Sequence, residues 1–97
     1  MNTIKIKDLE NMVSRLNDEL NTPQNPWGEE GGKMVANVGC FHLSQAYGGV
    51  DLHQMSNTGG AVRDVFFSGH VTKRKLFASI RGMLTGIEHA RVYGEIQ

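Results

Sequence analysis

The chain has a single cysteine, Cys40, in 97 residues. No intramolecular disulfide can form, and a reducing compartment fits. It also lacks an excess of either charge: ten Lys and Arg stand against ten Asp and Glu, for a formal net charge of zero. That excludes the strongly acidic make-up of a DNA mimic. It argues against nucleic-acid binding by bulk charge, which needs many cation–phosphate contacts, and leaves open only a local basic patch. There is no apolar run long enough to span a membrane and no apolar N-terminal stretch that would read as a signal peptide. We therefore expect a soluble cytoplasmic protein. The two prolines, Pro23 and Pro26, both fall in one short stretch, and there is no internal repeat or low-complexity segment. At this length the chain is one domain, 1–97, with a single modest core. Apolar surface left over would be buried in a homo-oligomer.

What the sequence does hold is organised around 41–55, FHLSQAYGGVDLHQM. Two alternating runs flank Gly48-Gly49, a short-range hairpin signal. With Gly48-Gly49 as the loop, Tyr47 faces Val50, Gln45 faces Leu52 and Leu43 faces Gln54. One face is then mostly apolar (Phe41, Leu43, Tyr47, Val50, Leu52). The other carries His42, Ser44, Asp51 and His53. A slip of one residue would bury the histidines and expose the leucines.

The stripe Leu9, Val13, Leu16, Leu20, widened by Ile6 and Met12, predicts a first helix within 1–22 that stops before Pro23. The stretch 23–33, PQNPWGEEGGK, reads as a loop. Trp27 inside it would plug the edge of the core or mark an interaction site. Residues 34–38 fit a short edge strand and 56–60 a turn. Residues 61–67, AVRDVFF, predict a third strand with apolar residues on both faces, hence covered on both sides or by a partner chain. A second helix is predicted over 71–90, with Thr72 as N-cap and Leu76, Ile80, Met83 and Ile87 as its stripe. Gly82 and Gly86 each weaken that helix by roughly 1 kcal/mol relative to alanine. Four residues apart, they form a strip for an intrachain helix crossing or a dimer seam. The tail 92–97 would fray or add an edge strand. The fold class expected is α+β: N-terminal helix, three-stranded antiparallel meander, C-terminal helix, with both helices on one face of the sheet.

The runs Phe41-His42-Leu43, Ala46-Tyr47-Gly48-Gly49, Gly59-Gly60 with Val62, and Gly69-His70 with Lys73-Arg74 resemble a widespread family of small phage-encoded proteins. The resemblance covers roughly 37–87. Lys75 stands where the family pattern usually has an acidic residue, which makes the helix opening more basic. The resemblance implies a phage accessory gene acting in the host cytoplasm, with host interference as the expected role, and no particular chemistry.

Three constellations carry candidate chemistry. His70, Lys73, Arg74 and Lys75 cluster at a helix start, where free N–H groups and the dipole favour an anion. Arg63 on the preceding strand, the Gly59-Gly60 turn and Tyr47 as a stacking surface could complete a phosphate or nucleotide cradle. Against this stands an ordinary solvated helix start. The polar hairpin face could pair a nucleophile with a base. It lacks a nucleophile elbow or oxyanion motif, and reads better as a solvated or partner-contacting face formed by His42, Asp51 and His53 with Trp27. Cys40 and His42 form a Cys-x-His pair with no second close ligand pair, so no metal site is expected. The leading expectation is a non-enzymatic, cofactor-free accessory protein, homodimeric or larger, that sequesters an anionic small molecule such as a nucleotide signal. The alternative is a protein inhibitor of a host defence enzyme.

Overall fold

The computed structural model describes residues 3–96. The first helix, α1, spans Ile6–Glu19. It opens where the Lys5 N–H donates to the Asp8 carboxylate at 2.8 Å, and acidic charge in a first turn suits the helix dipole. It ends as the chain turns left-handed at Asn21 (φ 56°), just ahead of Pro23. Leu9, Val13 and Leu16 are buried along one side, as their spacing requires. Leu20, the last residue of the expected stripe, lies outside the helix and is exposed.

The stretch expected as a loop with one edge strand is instead a hairpin, β1 (Trp27–Glu30) paired antiparallel with β2 (Lys33–Ala36). Its two-residue turn is Gly31-Gly32, both at positive φ, the geometry that matches the twist of the flanking strands. This hairpin forms its own two-stranded sheet. It is tied to the rest by the Ala36 N–H donating to the Thr58 carbonyl at 3.0 Å.

The second sheet has the order β3-β4-β5, from β3 (Phe41–Ala46), β4 (Gly49–Met55) and β5 (Val62–Asp64). The alternation of faces holds, but the register differs from expectation by two residues. Gln45 faces Val50, Leu43 faces Leu52 and Ser44 faces Asp51. The two turn residues are Tyr47 (φ 54°) and Gly48 (φ 72°). Gly49 belongs to the strand, and the reason it must be glycine is different. The chain returns beside it, where Val71 bridges Val50. A β-carbon on Gly49 would stand 2.8 Å from the Val71 carbonyl oxygen. The third strand is shorter than expected. It stops at Asp64, after which Val65 and Phe66 pack on the core. Phe67 turns left-handed (φ 55°) and is 83% exposed, so that segment is not covered on both sides.

The second helix, α2, spans Lys73–Ile96. Thr72 caps it, its hydroxyl accepting the Lys75 N–H at 3.2 Å. It begins two residues later than expected and continues through the tail expected to fray or pair; Gln97 lies outside the described residues. Arg91 near its end reaches α1. Its guanidinium donates to the Glu19 carbonyl at 2.6 Å and pairs with the Glu19 carboxylate, satisfying an orphan carbonyl at a helix C-terminus.

Both helices pack on the apolar face of β3 and β4. Leu9, Val13 and Leu16 of α1 meet Phe41, Val50 and Leu52, and Leu76, Ile80 and Leu84 of α2 close the cluster. Each fully buried leucine contributes about 1.5–3 kcal/mol, so these side chains fix which face of the sheet the helices cover. The opposite face is left to its polar residues. Among the described residues no helix is long and apolar enough to cross a membrane.

Candidate functional site

Two neighbouring regions result from this arrangement. The first is the opening of α2. Because Val71 pairs with Val50, its N–H and carbonyl both bonded there at 2.8 Å, the first turn of α2 is set against the β3–β4 turn. Together they enclose an open cavity of about 710 Å³, lined by Gln45, Gly48, Gly49, Thr72, Lys73 and Arg74, with Thr3 and Ile4 closing one side. The first-turn N–H groups of a helix have no intrahelical partner. Thr72 satisfies one of them, that of Lys75. Among the described residues neither Lys73 nor Arg74 forms an ion pair. Positive charge thus lies where the dipole already attracts an anion.

The other residues expected to join this cradle lie elsewhere. Arg63 pairs with Gln54 across β5 and β4, and its guanidinium donates to the Gln54 side-chain oxygen at 2.6 Å. That is near the far end of β4 from Val50. Gly60 lies under β1, where a β-carbon on it would stand 2.7 Å from the Trp27 ring, and Gly59 precedes it in the same turn. Trp27 is therefore seated on this turn, yet 42% exposed. Tyr47 is on the β3–β4 turn and 95% exposed, but it does not line the cavity. His70 points to the opposite face, its ring 5.7 Å from that of Tyr47.

The second region is that opposite face. His42 and His53 sit directly across from each other, rings 6.0 Å apart. The loop after β5 folds over them. Asp64 Oδ2 accepts the Gly69 N–H at 2.9 Å, which brings His70 down so that its Nε2 lies 2.9 Å from Ser44 Oγ and its ring 5.9 Å from that of His53. Beneath them Asp51 is only 1% exposed. Its Oδ1 accepts the Leu52 N–H at 2.8 Å, and its Oδ2 lies 3.2 Å from His53 Nε2.

The electrostatics follow from this burial. Desolvation pushes the Asp51 carboxyl up, the neighbouring Asp64 pushes it further, and the Leu52 N–H and His53 only partly offset the rise. Asp64 is also pushed up by burial. The Gly69 N–H, the Asp51 carboxyl and the Phe66 N–H outweigh that and hold it below the usual carboxylate range. Asp64 Oδ1 is buried without a hydrogen-bond partner. His42 is pushed down by burial and by His53, against a hydrogen bond with the Leu43 backbone. Its Nε2 is also buried and unpartnered. Burial raises the Cys40 thiol.

Of the expected partner-contact residues, then, only Trp27 is open to a partner. His42 and His53 are half-buried and Asp51 is inaccessible. Ser44 and His70 have the spacing of a nucleophile and its base. Among the described residues, however, His70 makes no second hydrogen bond that would orient its ring. No group of His, Cys, Asp or Glu among the described residues is arranged to hold a metal ion. The residue that sequence reasoning missed is Asp64. The alternation of 61–67 places it on a face with Val62 and Phe66, and only the pairing with His53 reveals its role. No family model matches the sequence, nor does any curated protein or solved structure.

Proposed function

We propose that this chain is a non-enzymatic binding protein for an anionic small molecule, held between the first turn of α2 and the β3–β4 turn. The observation that carries this reading is the cavity of about 710 Å³ in which Lys73 and Arg74, without an ion-pair partner among the described residues, line the same space as the Gly48-Gly49 backbone. Arg74 offers a bidentate contact to a phosphate and Lys73 a point charge. The first-turn N–H groups give direction. A nucleotide is the ligand class we take, in keeping with the phosphate-directed groups at this turn. The resemblance to small phage-encoded proteins supports reading such binding as an accessory, anti-defence role, with sequestration of a nucleotide signal in the host cytoplasm as its use.

The test is thermal shift with a panel of nucleotides, sugar phosphates and pyrophosphate on the wild type and on Lys73→Ala/Arg74→Ala. A ligand that raises the wild-type midpoint and leaves the double variant unmoved supports the reading. No stabilisation by any anion, or equal stabilisation of both proteins, refutes it. His70→Ala should leave the response nearly intact, because His70 faces away from the cavity. The alternative reading, an inhibitor that docks on a host enzyme, draws support from the exposed rings of Trp27, Tyr47 and Phe67 rather than from the half-buried histidine face. It predicts a response to a host protein with no response to any anion.

A further inference from the structure

The sheet has an unpaired side. In the order β3-β4-β5, β3 is an edge. Its ladder with β4 uses alternate residues, because the Cys40 carbonyl accepts the Met55 N–H, so His42, Ser44 and Ala46 turn their backbone groups inward. Phe41, Leu43 and Gln45 turn theirs outward. Phe41 is already taken: the buried Asn17 side chain donates to its carbonyl and accepts from its N–H, both at 2.9 Å, as a neighbouring strand would. No backbone–backbone bond among the described residues reaches Leu43 or Gln45 from outside the sheet. The strand FHLSQA has no charge, proline or glycine, so it lacks the sequence features that usually protect an edge from pairing.

We infer that this edge pairs antiparallel with the same edge of a second copy about a twofold axis through Ser44, joining the two three-stranded sheets into one. The occupant is specified by self-complementarity. A register centred on Ser44 sets Leu43 against Gln45 of the second copy and Gln45 against its Leu43. It uses the outward backbone groups of Leu43 and Gln45, which no backbone group from outside the sheet engages among the described residues, and leaves the Asn17 clamp on Phe41 undisturbed. Ser44 meets its own equivalent, a favourable cross-strand pair. The zero net charge offers no bulk repulsion to self-association. This inference goes beyond the anion-binding reading and does not depend on it.

The experiment is sedimentation equilibrium at roughly 10–100 µM, where a stable interface of standard size is populated. It compares the wild type with Gln45→Pro and Gln45→Lys, with circular dichroism run alongside to verify folding. Proline at 45 removes an N–H that the β4 ladder does not use and blocks outward pairing. Lysine at this exposed position leaves every backbone group in place and sets charge on the edge. Expected are a dimer mass for the wild type and a monomer mass for both Gln45 variants with retained secondary structure. A monomeric wild type overturns the inference. So does a folded Gln45→Lys that keeps the dimer mass, since the copies would then meet elsewhere, for example along Gly82 and Gly86.

Discussion

At the scale of single residues, several positions are decided by what stands next to them in space. Gly49 is one. Gly49→Ala places a β-carbon into the Val71 backbone, and overpacking of this kind typically costs about 1–3 kcal/mol. At Gly48, where a side chain would meet open space, Asn tolerates the left-handed turn and should cost less. Chemical denaturation of the two variants checks the contrast; equal losses would mean that the Val71 approach does not require glycine. Asn17 is another. It is buried, and its amide serves both backbone groups of Phe41 while its oxygen also accepts the Thr22 hydroxyl at 2.7 Å. Asn17→Leu strands those groups and should destabilise by about 2–3 kcal/mol, read as a lower urea midpoint.

His42 makes a pH prediction. Burial and His53 hold it below its ordinary value of 6.5 in the folded chain. Between that lowered value and 6.5 the unfolded chain binds a proton that the folded chain does not, so stability present above the window is lost as pH falls through it. Asp51 has the opposite sign: its raised value favours the folded chain in acid, and that contribution is lost as pH rises from 3.8 through the folded value. The wild-type melting midpoint should drop between about pH 7.5 and pH 5.5, and that of His42→Gln should drop less. Parallel slopes for the two proteins would exclude His42 as the source.

At the scale of elements, periodicity carried the reading where a core face decides the structure. The stripes of α1 and α2 and the two faces of the β3–β4 hairpin are legible in the sequence because burial enforces them. The register was not legible. Both Tyr47-Gly48 and Gly48-Gly49 can form a two-residue turn with positive φ, and the choice rests on Val71 approaching Gly49 from far along the chain. The β1–β2 hairpin was missed because its residues, WGEE and KMVA, show little apolar alternation; its signal was the Gly31-Gly32 pair alone. The length of α2 was underestimated because residues 88–94 are exposed, while Arg91 anchors this part of the helix to the end of α1 from across the fold. Arg91→Ala should therefore speed amide exchange beyond Ile87 and leave exchange around Leu76 and Ile80 unchanged. Uniform protection along α2 in that variant would show that the anchor is dispensable.

At the scale of the molecule, one packing decision produces both candidate regions. Once the helices cover the apolar side of β3 and β4, the polar residues gather on the other side beneath the loop that carries Asp64 and His70. The return of the chain at Val71 then brings the cationic start of α2 against the β3–β4 turn. The sequence showed the cations and the turn glycines, and it grouped Arg63, Gly59, Gly60 and His70 with them by composition. The fold separates these because β5 pairs at the far end of β4 and because strand alternation turns His70 away from Val71 and the cavity. The most direct measurement is a titration of isotope-labelled protein with pyrophosphate, followed amide by amide in a two-dimensional NMR spectrum. The account predicts saturable shifts concentrated at residues 48–50 and 72–75, absent in Lys73→Ala/Arg74→Ala. No saturable shift, or shifts centred on His42, His53 and His70, would contradict it.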